Sequence, residues 1–179
     1  MQWFIRRFIN RICYHVDHFR PERVVDIGCG EGIVAGALQE NNLPFEYYGI
    51  DINKQSIETA KRLSPSLFFE TANFLTMNPK IGWADVVLCL EVLEHLKNPV
   101  EALRRLLEWS NNVIIVSVPW EPYFSIGNFC RGLYMNRFGN HPEHVQWFRK
   151  GAFKVLLSQV SSNFLITTCF PWLIGIITI

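Results

Sequence analysis

Val24-Val25-Asp26-Ile27-Gly28-Cys29-Gly30-Glu31-Gly32 runs from a β-branched strand pattern into a glycine-rich turn, and residues 33–41 then read as a helix. Glycines at 28, 30 and 32 remove Cβ atoms where backbone must bend sharply and approach a ligand. The stretch therefore predicts a strand–turn–helix cradle for a nucleotide. A second strand pattern, Tyr47-Tyr48-Gly49-Ile50, leads to Asp51. An acidic residue about 20 positions beyond such a turn grips a ribose diol. The dinucleotide fingerprint puts its third glycine one place later, where this chain has Ile33. That departure argues against a pyrophosphate and for a smaller adenosine ligand.

Outward from the cradle, strand and helix patterns alternate. Strands are expected over 23–27, 45–50, 67–71, 84–90 and 112–118, and helices over 33–41, 53–63, 99–109 and 150–160. Ala84-Asp85-Val86-Val87-Leu88-Cys89-Leu90 is a continuous apolar run of the kind a strand buried on both faces requires. Ser64-Pro65 stops one helix and Pro99 suits the first turn of another. Such alternation predicts a parallel, doubly wound sheet. After Pro119 the rhythm breaks until residue 148. The apolar run 164–179 is short for a membrane span and is interrupted at Pro171. It reads as two buried strands joined near Phe170-Pro171, too close for a crossover helix and hence antiparallel. The expected fold is α/β: a Rossmann-like, mostly parallel, seven-stranded sheet with an antiparallel C-terminal strand pair. One domain, 1–179, is expected, with an N-terminal amphipathic helix over 1–20 and a substrate-side insertion over 119–148.

A chain of 179 residues, 49% hydrophobic and 14% aromatic, can bury a globular core. Its formal charge of +1 announces no nucleic-acid surface. Five cysteines, odd in number and without C-x-x-C spacing, read as reduced thiols in a cytoplasmic protein. The first 16 residues lack the continuous apolar core of a secretory leader. They form instead a basic amphipathic helix, with Trp3 or Phe4, Phe8 and Ile12 at helical spacing and Arg6, Arg7 and Arg11 elsewhere. Two readings stand for it: a helix packed on the domain as a lid, or a peripheral membrane contact.

Asp26-Ile27-Gly28-Cys29-Gly30-Glu31-Gly32, Gly49-Ile50-Asp51 and Glu91-Val92-Leu93-Glu94-His95-Leu96, in that order, resemble class I S-adenosylmethionine-dependent methyltransferases. The resemblance covers roughly residues 20 to 120 and is closest to the ubiquinone-biosynthesis O-methyltransferase type. It implies S-adenosylmethionine as cofactor and distributes roles along it. Gly28, Cys29 and Gly30 pass under the methionine part, and Asp26 helps hold its ammonium. Asp51 takes both ribose hydroxyls, and Ile52 packs on the adenine. Asn73, beside Phe74, offers its amide oxygen to the adenine amino group. Leu90 and Glu91 line the methyl end.

Methyl transfer requires alignment of nucleophile, methyl and sulfur, and a hydroxyl nucleophile usually needs a base. His144 is the first candidate and His141 the second, both in the irregular stretch on the same rim as Glu91. Glu91, Glu94 and His95 share one face if their segment is helical, and His144 can join them. That set resembles the metal ligands of small-RNA 3′-terminal ribose 2′-O-methyltransferases. The same Glu-x-x-Glu-His-Leu motif occurs in metal-free small-molecule relatives, and that reading, with no metal, is preferred. Arg131 and Arg137 can meet an anionic substrate group or stay solvated. The reading as a whole is methyl transfer to a small-molecule acceptor, at a hydroxyl oxygen. The alternatives are the metal-assisted RNA enzyme and a cofactor-binding regulatory protein without turnover.

Overall fold

The computed structural model describes residues 2–41 and 45–179. Met1, the first residue of the expected N-terminal helix, lies outside them. Seven strands form one sheet: β1 (Arg23–Ile27), β2 (Glu46–Asp51), β3 (Phe68–Thr71), β4 (Ala84–Leu90), β5 (Ser110–Pro119), β6 (Phe164–Cys169) and β7 (Trp172–Thr178). Their order is β3-β2-β1-β4-β5-β7-β6. The first five are parallel, while β7 runs antiparallel to both β5 and β6. This is the expected architecture, with β5 entering two residues earlier and leaving one later than its pattern indicated.

Among the described residues there are six α-helices: α1 (Gln2–Phe19), α2 (Ile33–Glu40), α3 (Lys54–Leu63), α4 (Pro99–Trp109), α5 (Tyr123–Cys130) and α6 (Lys150–Ser158). Alternation along β4 divides the core. Val86 and Leu88 pack toward Phe8, Ile12, Leu38 and Ile57 of α1, α2 and α3. Val87 and Cys89 pack toward Leu103, Leu106 and Phe153 of α4 and α6. Two helices start as their sequences direct. Asn53 caps α3 by accepting from the N–H groups of Gln55 and Ser56, and Asn98 caps α4 from Glu101. The α1 stripe Phe8, Ile12 and Val16 is buried, so this helix packs on the domain through one face.

The stretch after Pro119 is less irregular than its sequence suggested. It holds α5 and a single 3₁₀ turn over Met135–Arg137, closed by a bridge between Trp120 and Phe148.

Candidate functional site

The carboxyl ends of β1, β2 and β4 meet where the strand order reverses, the position at which open α/β sheets bind ligands. A cavity of about 620 Å³ lies there, lined by Gly28, Asp51, Ile52, Phe74, Glu91 and His95 among others. Gly28 adopts φ +76°, and a Cβ on it would stand 2.3 Å from Val92 Cγ2. Only glycine lets the turn close against the segment after β4. Asp51 is fixed from two sides: Gly30 N–H donates to Oδ2 at 2.8 Å and Asn53 N–H to Oδ1 at 2.7 Å. Each oxygen keeps a lone pair for a further donor.

The other expected donor-side residues divide. Ile52 is exposed on the cavity rim, open to a planar ring. Asn73 lines the cavity, but its amide oxygen accepts from Leu75 N–H at 3.0 Å, so part of its capacity serves the turn. Asp26 is buried beneath the turn and accepts from the Tyr47 hydroxyl at 2.7 Å. Burial pushes its carboxyl up to about 7, against the pull of that hydrogen bond and with a further push from Asp51. Cys29 sends its thiol down onto Gly49 and donates its N–H to Ile50 O at 3.1 Å. Its thiol is held well above the ordinary range by burial and the nearby charges of Asp26 and Asp51. Only the backbone of Cys29 remains for a ligand. Leu90 is buried at the end of β4.

The segment after β4 corrects the expectation of one helical face. Glu91 sits at φ +58°, outside any helix, and the 3₁₀ turn covers only Leu93–His95. Glu91 consequently diverges from its neighbours. Its Oε1 accepts from Ser117 Oγ at 2.8 Å and its Oε2 from Trp172 Nε1 at 2.7 Å. Each Glu91 oxygen is thus held by one donor from a neighbouring strand, and burial raises its pKa to about 7. Glu94 is buried, and neither carboxylate oxygen has a hydrogen-bond partner among the described residues. Burial, with Glu91 adding, raises its pKa as well.

Three histidines gather beside the cavity. The His95 and His144 rings lie 4.9 Å apart, as do those of His141 and His144. His95 lines the cavity, and His144 and His141 follow it in the cluster. The Glu143 carbonyl, 3.1 Å from His95 Nδ1, can only accept, which places a proton on Nδ1 and turns Nε2 away from that bond. The N–H groups of Val145 and Gln146 donate to Glu94 O, so the histidine loop is pinned to the 3₁₀ turn. His144 is half-buried and its pKa falls to about 4, from burial first and then the neighbouring His95 and His141. Ligand atoms, one each from Glu94, His95 and His144, lie within 4.8 Å of one another. Glu91 is not in that set. The sequence reading missed Tyr47, Ser117 and Trp172, whose hydroxyls and indole hold Asp26 and Glu91 from strands distant in sequence.

A family profile described as a methyltransferase domain matches residues 1–161. The chain belongs to the methyltransferase domain family. This is the class I S-adenosylmethionine-dependent family that the glycine turn, Asp51 and the Glu91–Leu96 motif resemble, so the cavity is that of an S-adenosylmethionine-dependent methyltransferase. The methyltransferase is 31% identical over 120 residues to the ubiquinone biosynthesis O-methyltransferase of Rickettsia typhi, covering 63% of this chain and 47% of that protein. It spans about half the length of the curated relatives it matches. In fold it is similar to the methyltransferase domain of bacterial CtHen1-C, with TM-score 0.78, 19% identity and 98% of each chain covered. It is also similar to magnesium protoporphyrin IX methyltransferase of Synechocystis PCC 6803, solved with bound S-adenosylhomocysteine. There the TM-score is 0.75 at 16% identity, covering 99% of this chain and 84% of the other.

Proposed function

We propose that this methyltransferase alkylates a hydroxyl oxygen of a small-molecule acceptor, with His144 taking the hydroxyl proton. The donor supplies a methyl on a sulfonium, already bonded to its leaving group. Asp51, oriented by the N–H groups of Gly30 and Asn53, holds the ribose, and Gly28 and Gly30 give room for the amino-acid tail. Glu91, braced by Ser117 and Trp172, closes the methyl end without removing a proton. The observation that carries the reading is the histidine cluster beside the cavity: His144 stands next to His95, which lines it along with Glu91. The name of the Rickettsia relative, an O-methyltransferase, supports oxygen as the nucleophile. His144→Gln is the test. Turnover over a panel of phenols and other hydroxyl acceptors is expected to fall by about a thousandfold, with donor affinity by calorimetry unchanged. Unchanged turnover would remove His144 from the chemistry.

One observation favours a second reading. Glu94 offers a buried carboxylate with no partner among the described residues, beside the imidazoles of His95 and His144. This oxygen and nitrogen set fits a divalent cation, which would orient an acceptor diol. It is the reading in which the acceptor is a 3′-terminal ribose. Activity lost to a chelator and restored by magnesium or manganese would select it, and chelator-resistant turnover would dismiss it.

A further inference from the structure

Helix α5 is inside out. Its buried residues are polar: Ser125 is 7% exposed and Asn128 5%. Ser125 Oγ donates to Glu121 Oε2 at 2.6 Å, and Asn128 Nδ2 donates to Gly139 O at 3.1 Å. Gly139 fits this contact because a Cβ there would stand 1.9 Å from Ser125 O. The outward face is Tyr123, Ile126 and Phe129, and Phe138, 79% exposed, stacks on Phe129. Surface helices ordinarily turn their apolar stripe inward. Here rotation would strip two buried polar side chains of their partners, so the hydrogen bonds dictate which face is outside.

The apolar surface continues beyond α5. Tyr123 meets Phe170 of the β6–β7 turn at 5.7 Å, Phe170 meets Phe4 at 6.0 Å, and Phe4 meets Trp3 at 5.0 Å. Trp3 is 63% exposed and carries the Arg7 guanidinium over its ring at 5.4 Å. Three segments far apart in sequence thus converge on one face. The first and last of the segments that build it carry charge of a single sign. Residues 2–16 and 122–142 contain Arg6, Arg7, Arg11, Arg131 and Arg137 and no Asp or Glu, in a chain whose formal charge is +1. Aromatic rings settle at headgroup level, aliphatic side chains enter the acyl boundary, and arginines meet phosphates. A second copy of this chain would instead set arginines against arginines. Among the described residues no helix is long and apolar enough to cross a membrane, so the contact is with a surface.

We propose that this face docks the methyltransferase on an anionic lipid bilayer. Phe124, just behind it, lies 6.2 Å from the His144 ring and 6.1 Å from Trp172, so the docked face adjoins the candidate site. The test is sedimentation of the 179-residue chain with vesicles of equimolar phosphatidylcholine and phosphatidylglycerol, against vesicles of phosphatidylcholine alone. Binding is expected to the anionic vesicles only and to weaken as salt rises. Arg6→Gln with Arg7→Gln lowers the partition coefficient about thirtyfold. Ile126→Ser with Phe129→Ser lowers it about tenfold. Ile81→Ser, an exposed apolar position ahead of β4 at the opposite end of the sheet, leaves it unchanged. Should a double variant unfold, the lipid and salt dependence of the unsubstituted chain decides. The proposal is overturned by failure to sediment with either vesicle, by equal binding to both, or by equal loss in Ile81→Ser. A self-association that Ile126→Ser with Phe129→Ser dissolves, in place of vesicle binding, also overturns it.

Discussion

The donor side and the acceptor side of the cavity lean on different means. On the donor side, the ends of β1 and β2 place Gly28, Gly30 and Asp51, and backbone N–H groups orient the one carboxylate that matters. On the acceptor side, side chains do much of the holding: Ser117 and Trp172 hold Glu91, Glu121 holds Ser125, and Asn128 reaches the Gly139 carbonyl. A site set by backbone is fixed by the fold and tolerates sequence change around it. A site set by side-chain contacts can be remade by a few substitutions, which suits the half that must recognise the acceptor.

The contrast is sharpest in His144→Gln. Its expected loss of about a thousandfold in turnover, with donor affinity intact, would separate the two halves cleanly. A parallel loss of donor affinity, measured by calorimetry, would show that the halves are coupled through His95.

Asp26 tests the donor half from beneath. In the unfolded chain its carboxyl ionises at the ordinary 3.8, whereas burial delays this to about 7 in the fold, Tyr47 notwithstanding. Its contribution to stability is therefore full below pH 3.8 and is lost as the pH rises through about 7. Asp26→Asn keeps an acceptor for the Tyr47 hydroxyl and deletes the buried charge. It is expected to stabilise the protein by about 2–4 kcal/mol above neutrality and by little in acid. Denaturant unfolding at two pH values checks this, and a gain independent of pH would break the account. Asp51→Ala should act on binding instead, raising the donor dissociation constant about a hundredfold by calorimetry. A change of only a few-fold would mean that the turn, and not the carboxylate, carries the donor.

These two halves were unequally legible in the sequence. Gly28, Gly30 and Asp51 are readable because local backbone geometry demands them at fixed spacing, and the antiparallel end because residues 164–179 leave no room for a crossover. The partners that orient Asp26 and Glu91 were not readable. Trp172 lies 81 positions from Glu91, and only the β5–β7 pairing brings its indole there. Glu91, Glu94 and His95 misled by their helical spacing, since the left-handed Glu91 turns the first carboxylate away before the 3₁₀ turn begins. Helix α5 was obscured because it is only eight residues long and carries Gly127 among aromatic and β-branched residues of low helix propensity.

Trp172→Phe probes the seam between the halves and has the smallest expected effect. The substitution keeps a ring against Phe8, which lies 4.8 Å away, and removes only the N–H that Glu91 Oε2 accepts. Ser117 still donates to the other oxygen. A buried carboxylate with one donor fewer resists ionisation more strongly, so Glu91 should titrate higher and the protein lose about 1–2 kcal/mol at neutral pH. Thermal unfolding reads the stability, and calorimetry reads the donor. If stability falls and donor affinity holds, Glu91 acts as a strut of the rim. If both fall together, Glu91 touches the donor, and the acceptor side reaches through Trp172 into the half that the glycine turn built.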